Sequence, residues 1–302
     1  MKNRKLLTAG LGVGISSIVL LTSAYTVMAD TSSGYDLYKS AIKQTHAAKS
    51  ITADVNVSLT DNGKELLAVQ GKVKNEEAAN LGSGSVNIKT NGTAHAVQFY
   101  RQADQVVLKT DDSDSYKVLK PDANEQRKWK QHHNANEDGT NPGAEKVIDA
   151  LMTNLQNDIQ VTQASGGGKE VSLHLTQQQI SPVVQALGSV VLQHAANHQE
   201  RATGEGQDEL DRHAPQFAKD LKPELPKLTQ DIVVKQVDVK AEISQDNYVD
   251  QQEATLTVSG KDASGASHEV VLTIHADLSN FGDTKADTVD LTGKQVETIQ
   301  KH

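Results

Sequence analysis

SGYDLYKSAIKQTHAAKSITADVNVSLTDNGKELLAVQGKV, residues 33–73, carries two periodicities in succession. Leu37, Ala41, Ile42 and Ala48 recur at helical intervals, with Asp36 in the first turn and Lys49 at the end, which predicts a short amphipathic helix. From Ile51 the period becomes two. Ile51, Ala53, Val55, Val57 and Leu59 point one way, and Thr52, Asp54, Asn56 and Ser58 the other. Asp61-Asn62-Gly63 supplies a turn, and Leu67, Val69 and Val73 continue the alternation, so a hairpin with one apolar face is expected.

The same alternation extends outward from this hairpin. Strand candidates follow at 85–90, 94–101, 105–110 and 115–119, with connections too short for parallel crossovers. The stretch 121–141 is polar and reads as a surface loop, its lone Trp129 standing among Lys128, Lys130, His132 and His133. Pro142 opens an expected helix with a stripe of Val147, Ile148, Leu151, Met152 and Leu155. A new sheet is expected from 159–162 through a Gly166-Gly167-Gly168 turn to Val171, Leu173 and Leu175. Residues 177–200 read as a long helix, 201–208 as a polar break, and Leu210, Phe217 and Leu221 as a shorter helical piece. Alternation then resumes through Val237, Val239, Ala241 and Ile243, through Ala254, Leu256 and Val258, and through Val270, Leu272, Ile274 and Ala276. One more strand is expected around 289–291, followed by the apolar pair Val296 and Ile299. Strands, then helices, then strands again predict an α+β fold with a long antiparallel sheet and helices gathered on one side.

Lys2, Arg4 and Lys5 precede an uncharged apolar run to Ala29, the pattern of an export signal cleaved after Ala29. An uncleaved anchor is the alternative, because about 20 apolar residues suffice to span a bilayer; membrane contact would then run through residues 6–29. Both place residues 30–302 outside the cytoplasm, where a single domain is expected. The chain has no Cys, so its stability comes from packing without disulfides. Removing residues 1–29 takes away three positive charges and no negative one, moving the formal charge from -9 to -12. That balance argues against nucleic acid as a partner.

The short helix through Tyr38 and Ile42, Ser50-Ile51-Thr52-Ala53 entering the first strand, Phe99-Tyr100-Arg101, Gln105-Val106-Val107-Leu108 and Tyr116-Lys117-Val118-Leu119 together resemble the LolA-like lipoprotein-carrier and mycobacterial LppX/LprG-like superfamily. The resemblance is one of pattern and order over residues 35–299. It implies a strongly curved antiparallel sheet, an unclosed half-barrel wrapped around a few helices, whose concave face takes acyl chains, lipids or lipoproteins. A related envelope sensor uses the same scaffold, so protein contacts in the cell envelope, through the loops 121–141 and 200–209, form the alternative. The lipobox cysteine common among Gram-positive relatives is absent, which argues against a permanent lipid anchor.

Apolar sheet positions are more often plain core than cavity lining, since both use identical side chains. The resemblance raises the second reading for Val55, Val57, Leu59, Val69, Val97, Phe99, Leu151, Leu187, Val239, Leu256, Leu272 and Ile274. No catalytic constellation accompanies them, and no cofactor or metal is expected. His194 and His198 stand four apart, but the metalloprotease pattern needs Glu after the first His and Ala195 is there. A solvated helix end accounts for the pair. Asp111, Asp112 and Asp114 lack the calcium-loop pattern and read as an acidic turn. The three glycines precede a strand where a phosphate cradle needs a helix N-terminus.

Overall fold

The computed structural model describes residues 33–90, 92–102, 105–120, 155, 158–164, 166–180, 185 and 225–299. The expected signal or anchor, the two polar loops, the helix from Pro142 apart from Leu155, most of 177–200 and the piece near 210–221 lie outside these residues. So do Leu151, Leu187, Trp129, His132, His133, His194 and His198.

The described chain consists of one helix, α1 (Gly34–His46), and twelve strands: β1 (Ser50–Asp61), β2 (Lys64–Glu76), β3 (Leu81–Thr90), β4 (Thr93–Gln102), β5 (Gln105–Thr110), β6 (Tyr116–Leu119), β7 (Ile159–Gln163), β8 (Lys169–Thr176), β9 (Gln230–Ile243), β10 (Val249–Lys261), β11 (Ser267–Ser279) and β12 (Val296–Ile299). All twelve belong to one curved, unclosed sheet in the order β12-β6-β5-β4-β3-β2-β1-β11-β10-β9-β8-β7. The strands from residue 159 onward therefore extend the first sheet, which corrects the expectation of a new one there. β1 pairs along its length with β11, Val57 opposite Ile274 and Leu59 opposite Leu272, and this seam joins the two strand series. The seam is favoured because both strands present apolar residues to the same face and in register.

Local chemistry explains the connections. Asn62 and Gly63 both take positive φ (48° and 78°) between β1 and β2, the turn whose twist matches a two-residue hairpin. Gly166 and Gly167, at 90° and 86°, turn β7 into β8. Ser33 caps α1 by accepting the Asp36 N–H at 3.2 Å, and Asp36 sits at the positive end of the helix dipole. After β8, Gln179 closes a turn onto Thr176, its N–H donating to the Thr176 carbonyl oxygen at 2.9 Å. The Gln179 Oε1 accepts from the Thr176 N–H at 3.1 Å and from its hydroxyl at 2.8 Å.

Two expectations change at the C-terminus. Residues 289–291 form no strand, and the last strand is β12, which pairs in parallel with β6, Val296 opposite Tyr116. Between β11 and β12, residues 280–295 cross the sheet as a strap. It contacts β1 through Thr284 and Thr52 (2.8 Å), β2 through Lys285 and Glu76 (3.0 Å), β3 through the Asp287 N–H and Ser83 (2.9 Å) and β4 through Val289 and Gln102. Gln102 both accepts from and donates to the Val289 backbone, each at 2.8 Å, as a neighbouring strand would. A sheet wrapped around several helices is not what the described residues contain: α1 is their one extended helix.

Candidate functional site

Strand alternation sorts the sheet into two faces with opposite chemistry. Residues in register across the apolar face run Leu173–Val239–Ala254–Ile274–Val57–Val69–Ile88, and one step along, Leu175–Val237–Leu256–Leu272–Leu59–Leu67. The ten expected lining residues that are described, Val55, Val57, Leu59, Val69, Val97, Phe99, Val239, Leu256, Leu272 and Ile274, all fall on this face.

Two parts of the face are covered. At one end of β7–β11, α1 lays Ala41 and Ile42 on Val171, Ala241, Ile243 and Val249, with Leu37, Tyr38, Ile159 and Leu278 around them. Fully burying a side chain such as Ile42 contributes about 1.5–3 kcal/mol. Thr45 fixes the helix to the sheet, its Oγ1 accepting the Val249 N–H at 2.9 Å while donating to Ala41 O at 2.8 Å. Tyr38 is partly buried here, and desolvation pushes its phenol well above the ordinary range, with the Gln252 side chain acting in the opposite direction. At the other end, Leu155, Ile180 and Leu228 cover Leu175, Val234, Val258 and Val270. Gln185 clips that region by exchanging two hydrogen bonds with the Val234 backbone at 2.8 and 3.0 Å.

Between these covers lies a stripe over β1–β4 and β9–β11. Val55, Val57, Val97 and Ile274 are buried in it, whereas Leu59, Leu67, Val69, Ile88, Phe99, Val239, Leu256 and Leu272 are half-buried. Glycines shape one corner. A Cβ on Gly84 would meet the Phe99 ring at 2.4 Å, so the ring lies down on the β3 backbone where a larger residue would hold it off. Beside it, Arg101 is on the same face, in register with Gly82 and Val106. Its Nη2 donates to Asn75 Oδ1 at 2.7 Å and to Leu81 O at 3.2 Å, while its buried Nε has no acceptor. Burial pushes its pKa down, and Glu77 opposes that from a distance.

The other face is polar. Its Lys72–Asp54 (3.2 Å), Lys89–Glu65 (2.9 Å) and Lys240–Glu170 (2.8 Å) pairs are exposed or partly exposed, and pairs of that kind are worth little individually. A shallow depression of about 450 Å³ lies over its centre, bordered by Asn56, Ser58, Gln70, Asn87, Lys89 and Thr273. Val57, Val69 and Ile88 also border it, although their side chains alternate to the opposite face. A second depression, about 190 Å³, lies between Gly166–Gly168 and Glu242–Gln245. Desolvation, then Glu242 and Asp246, push the carboxyl of the neighbouring Asp250 up. Near β4–β6 the strap covers this polar face, and Val107 and Val118, which alternate onto it, are buried.

The acidic turn after β5 is backbone-anchored, with the Asp111 N–H donating to Ala96 O at 3.1 Å. Among the described residues no three His, Asp or Glu side chains are grouped to hold a metal ion, and no helix is long and apolar enough to cross a membrane. Two features escaped the sequence reading: the strap and the placement of Arg101. The parity of Val97, Phe99 and Arg101 was a signal for the second.

No protein-family model matches the chain, and no curated protein does. Among solved structures, the chain is similar to the crystal structure of a LolA superfamily protein from Nitrosomonas europaea. The identity is 8%, over 87% of this chain and 97% of that one, with a TM-score of 0.22. A bifunctional dehydratase-cyclase domain in ambruticin biosynthesis aligns at 12% identity over 88% and 89% of the two chains, with a TM-score of 0.13. At these scores neither likeness carries an argument about function.

Proposed function

We propose that this is an extracytoplasmic, non-catalytic binding protein whose apolar sheet face takes the acyl chain of a lipid or lipoprotein. The observation that supports this is the half-buried stripe between the two covered regions. A run of apolar residues across seven strands stays half-buried at Val69, Ile88, Val239 and Leu272, which belong to neither the group under α1 nor the Leu155–Ile180–Leu228 group, whereas Leu59 and Leu256 pack against the latter. Contiguous apolar surface of this kind marks a ligand or interaction site in a soluble protein. The residues that would meet the chain are Val69, Phe99, Val239 and Leu272, with Leu59 and Leu256 at the border of the Leu155–Ile180–Leu228 group and Val55, Val57, Val97 and Ile274 as the floor. An acyl chain suits a surface with few polar groups, because burying an unpaired polar atom there would cost about 1–3 kcal/mol.

The test is organic extraction of the purified chain followed by mass spectrometry, together with titration of a fluorescent fatty acid. Stoichiometric lipid and saturable binding are expected, both weakened by Val69→Asp. Absence of lipid and of saturable binding overturns the proposal.

A further inference from the structure

The corner around Arg101 narrows the class of ligand, an inference that rests on the reading of the apolar face as a lipid site. The described lysines that form ion pairs do so with carboxylates: Lys72, Lys74, Lys89, Lys240, Lys261 and Lys285 each stand within 4.0 Å of one. Arg101, the one arginine among the described residues, has no carboxylate partner at that range. Its neighbours are neutral acceptors on one edge, the Gly82 backbone beneath it and the flattened Phe99 ring one row away. Lys117 of β6 lies on the same face, in register with Leu108 and through it with Phe99, and it too makes no ion pair among the described residues.

A partly buried guanidinium whose one noted counter-charge, Glu77, acts only from a distance is under-compensated for its loss of water. Arg101 is nonetheless held in place, its Nη2 fixed by Asn75 and Leu81. Nη1 has no acceptor among the described residues, so it remains to meet an incoming oxygen. A guanidinium presented this way is suited to a carboxylate or phosphate oxygen. From Arg101 the same face of β4 runs past Phe99 and over the buried row of Val97, Val86 and Val55 to the row of Val69 and Ile88, six residues away and in register with His95. At roughly 3.4 Å per residue that is about 20 Å of apolar path, the length of an extended long-chain fatty acid.

We propose that the ligand of the apolar face is an amphiphile with an anionic headgroup, bound with its head at Arg101, assisted by Lys117, and its chain directed toward Val69. At the far end His95 already faces a carboxylate, its Nδ1 3.8 Å from Asp111, so the direction of the chain is set by Arg101 and Lys117.

The experiment compares the full chain with Arg101→Gln, Arg101→Lys and Lys117→Gln, using cis-parinaric acid and its methyl ester as paired fluorescent probes. Wild type should favour the acid by about tenfold, Arg101→Gln should abolish that preference with the ester's affinity held within about twofold, and Arg101→Lys should retain most of it. Lys117→Gln, remote from the Asn75 and Leu81 contacts, should reduce the preference partially, so the proposal stays testable even if the Arg101→Gln chain fails to fold. Equal affinity of wild type for acid and ester overturns the headgroup assignment and leaves the lipid reading standing. Binding of neither probe overturns both. Displacement of parinaric acid by inorganic phosphate alone would mark a free-anion site and overturn the amphiphile.

Discussion

The two faces of the sheet are built from the same strands, yet they solve opposite problems. On the polar face, Asn56, Gln70 and Asn87 are exposed around a shallow depression, side chains that lose nothing by staying in water. On the apolar face, Val97 is completely buried while Val69 and Ile88 in the next row are half-buried, so the cover is incomplete. The strap crosses the polar face through single polar contacts at Thr52, Glu76 and Ser83, and near its end that face turns apolar at the buried Val107 and Val118. Cover therefore follows side-chain chemistry, and the stretch that lacks enough of it is the place to look for a ligand.

The sharpest way to break this comparison is to put the same charge on each face. Val97→Asp introduces an unpaired carboxylate at a position with no exposure, at an expected cost on the order of 4 kcal/mol or more. Ser58→Asp, on the polar face in the row of Lys89, should change stability by no more than about 0.5 kcal/mol. Urea denaturation with an unchanged slope measures both. Similar losses for the two variants would mean that the faces are not distinct.

The next effect sharpens the corner at Phe99. Gly84→Ala places a Cβ where the ring and, at 3.0 Å, the Lys72 carbonyl oxygen already stand, and overpacking of this kind costs about 1–3 kcal/mol. Combining it with Phe99→Leu should recover part of the loss in a thermodynamic cycle, because the shorter side chain lifts off β3. Strict additivity would show that the ring does not rest on Gly84.

The strap comes third. Gln102→Ala removes both hydrogen bonds to Val289, worth about 1–2 kcal/mol together. Hydrogen exchange should accelerate at the Val289 amide and in β12 well before it does in β1 or β11. Uniform acceleration through the sheet would make the strap part of the core rather than a separately opening segment.

These contrasts were unequally legible in the sequence. The hairpin from Ile51 to Val73 and the three late strands could be read because one-sided burial writes a period of two into each strand. Their union in one sheet could not, since the β1–β11 seam joins residues such as Val57 and Ile274 that no local turn connects. The strap left no periodicity at all. Its contacts are single polar residues meeting the sheet across great separations, as Thr52 does with Thr284, so nothing between Asn280 and Gln295 announces a partner. β5 was legible as a strand at 105–110, but in Gln105-Val106-Val107-Leu108 both faces are apolar, so its pattern did not say which side is covered. The apolar stripe was visible as chemistry, but how much of it other elements cover depends on packing that a single strand's pattern does not contain.

The smallest expected effect concerns pH and separates the rim of the sheet from its polar face. His268 sits at the hairpin tips with Nδ1 2.8 Å from Asp61 and Nε2 3.5 Å from Asp262, and the bond to Asp61 is the main reason its pKa is raised. His275 lies on the polar face between Glu253 and Asp277, both at 3.0 Å. Burial there opposes protonation, but Asp277 and then Glu253 outweigh it, so its pKa is raised as well. A histidine whose pKa is higher folded than unfolded binds more protons in the folded state. Its contribution is fully present below the unfolded value of about 6.5 and is lost as pH rises through the raised folded value. These two histidines should therefore make stability decline from about pH 6 to about pH 8, against His46, whose pKa burial lowers and whose contribution is lost as pH falls, and against Asp277, whose lowered pKa makes its own contribution fade only in acid. His268→Gln should flatten the decline more than His275→Gln, because the His268 side chain is 17% exposed against 27% for His275 and water screens its ion pairs less. Thermal melts at matched ionic strength test this. A wild-type profile that neither replacement changes would show that neither histidine gains its proton from the fold, and an equal change of slope in the two variants would show that the rim and the polar face are solvated alike.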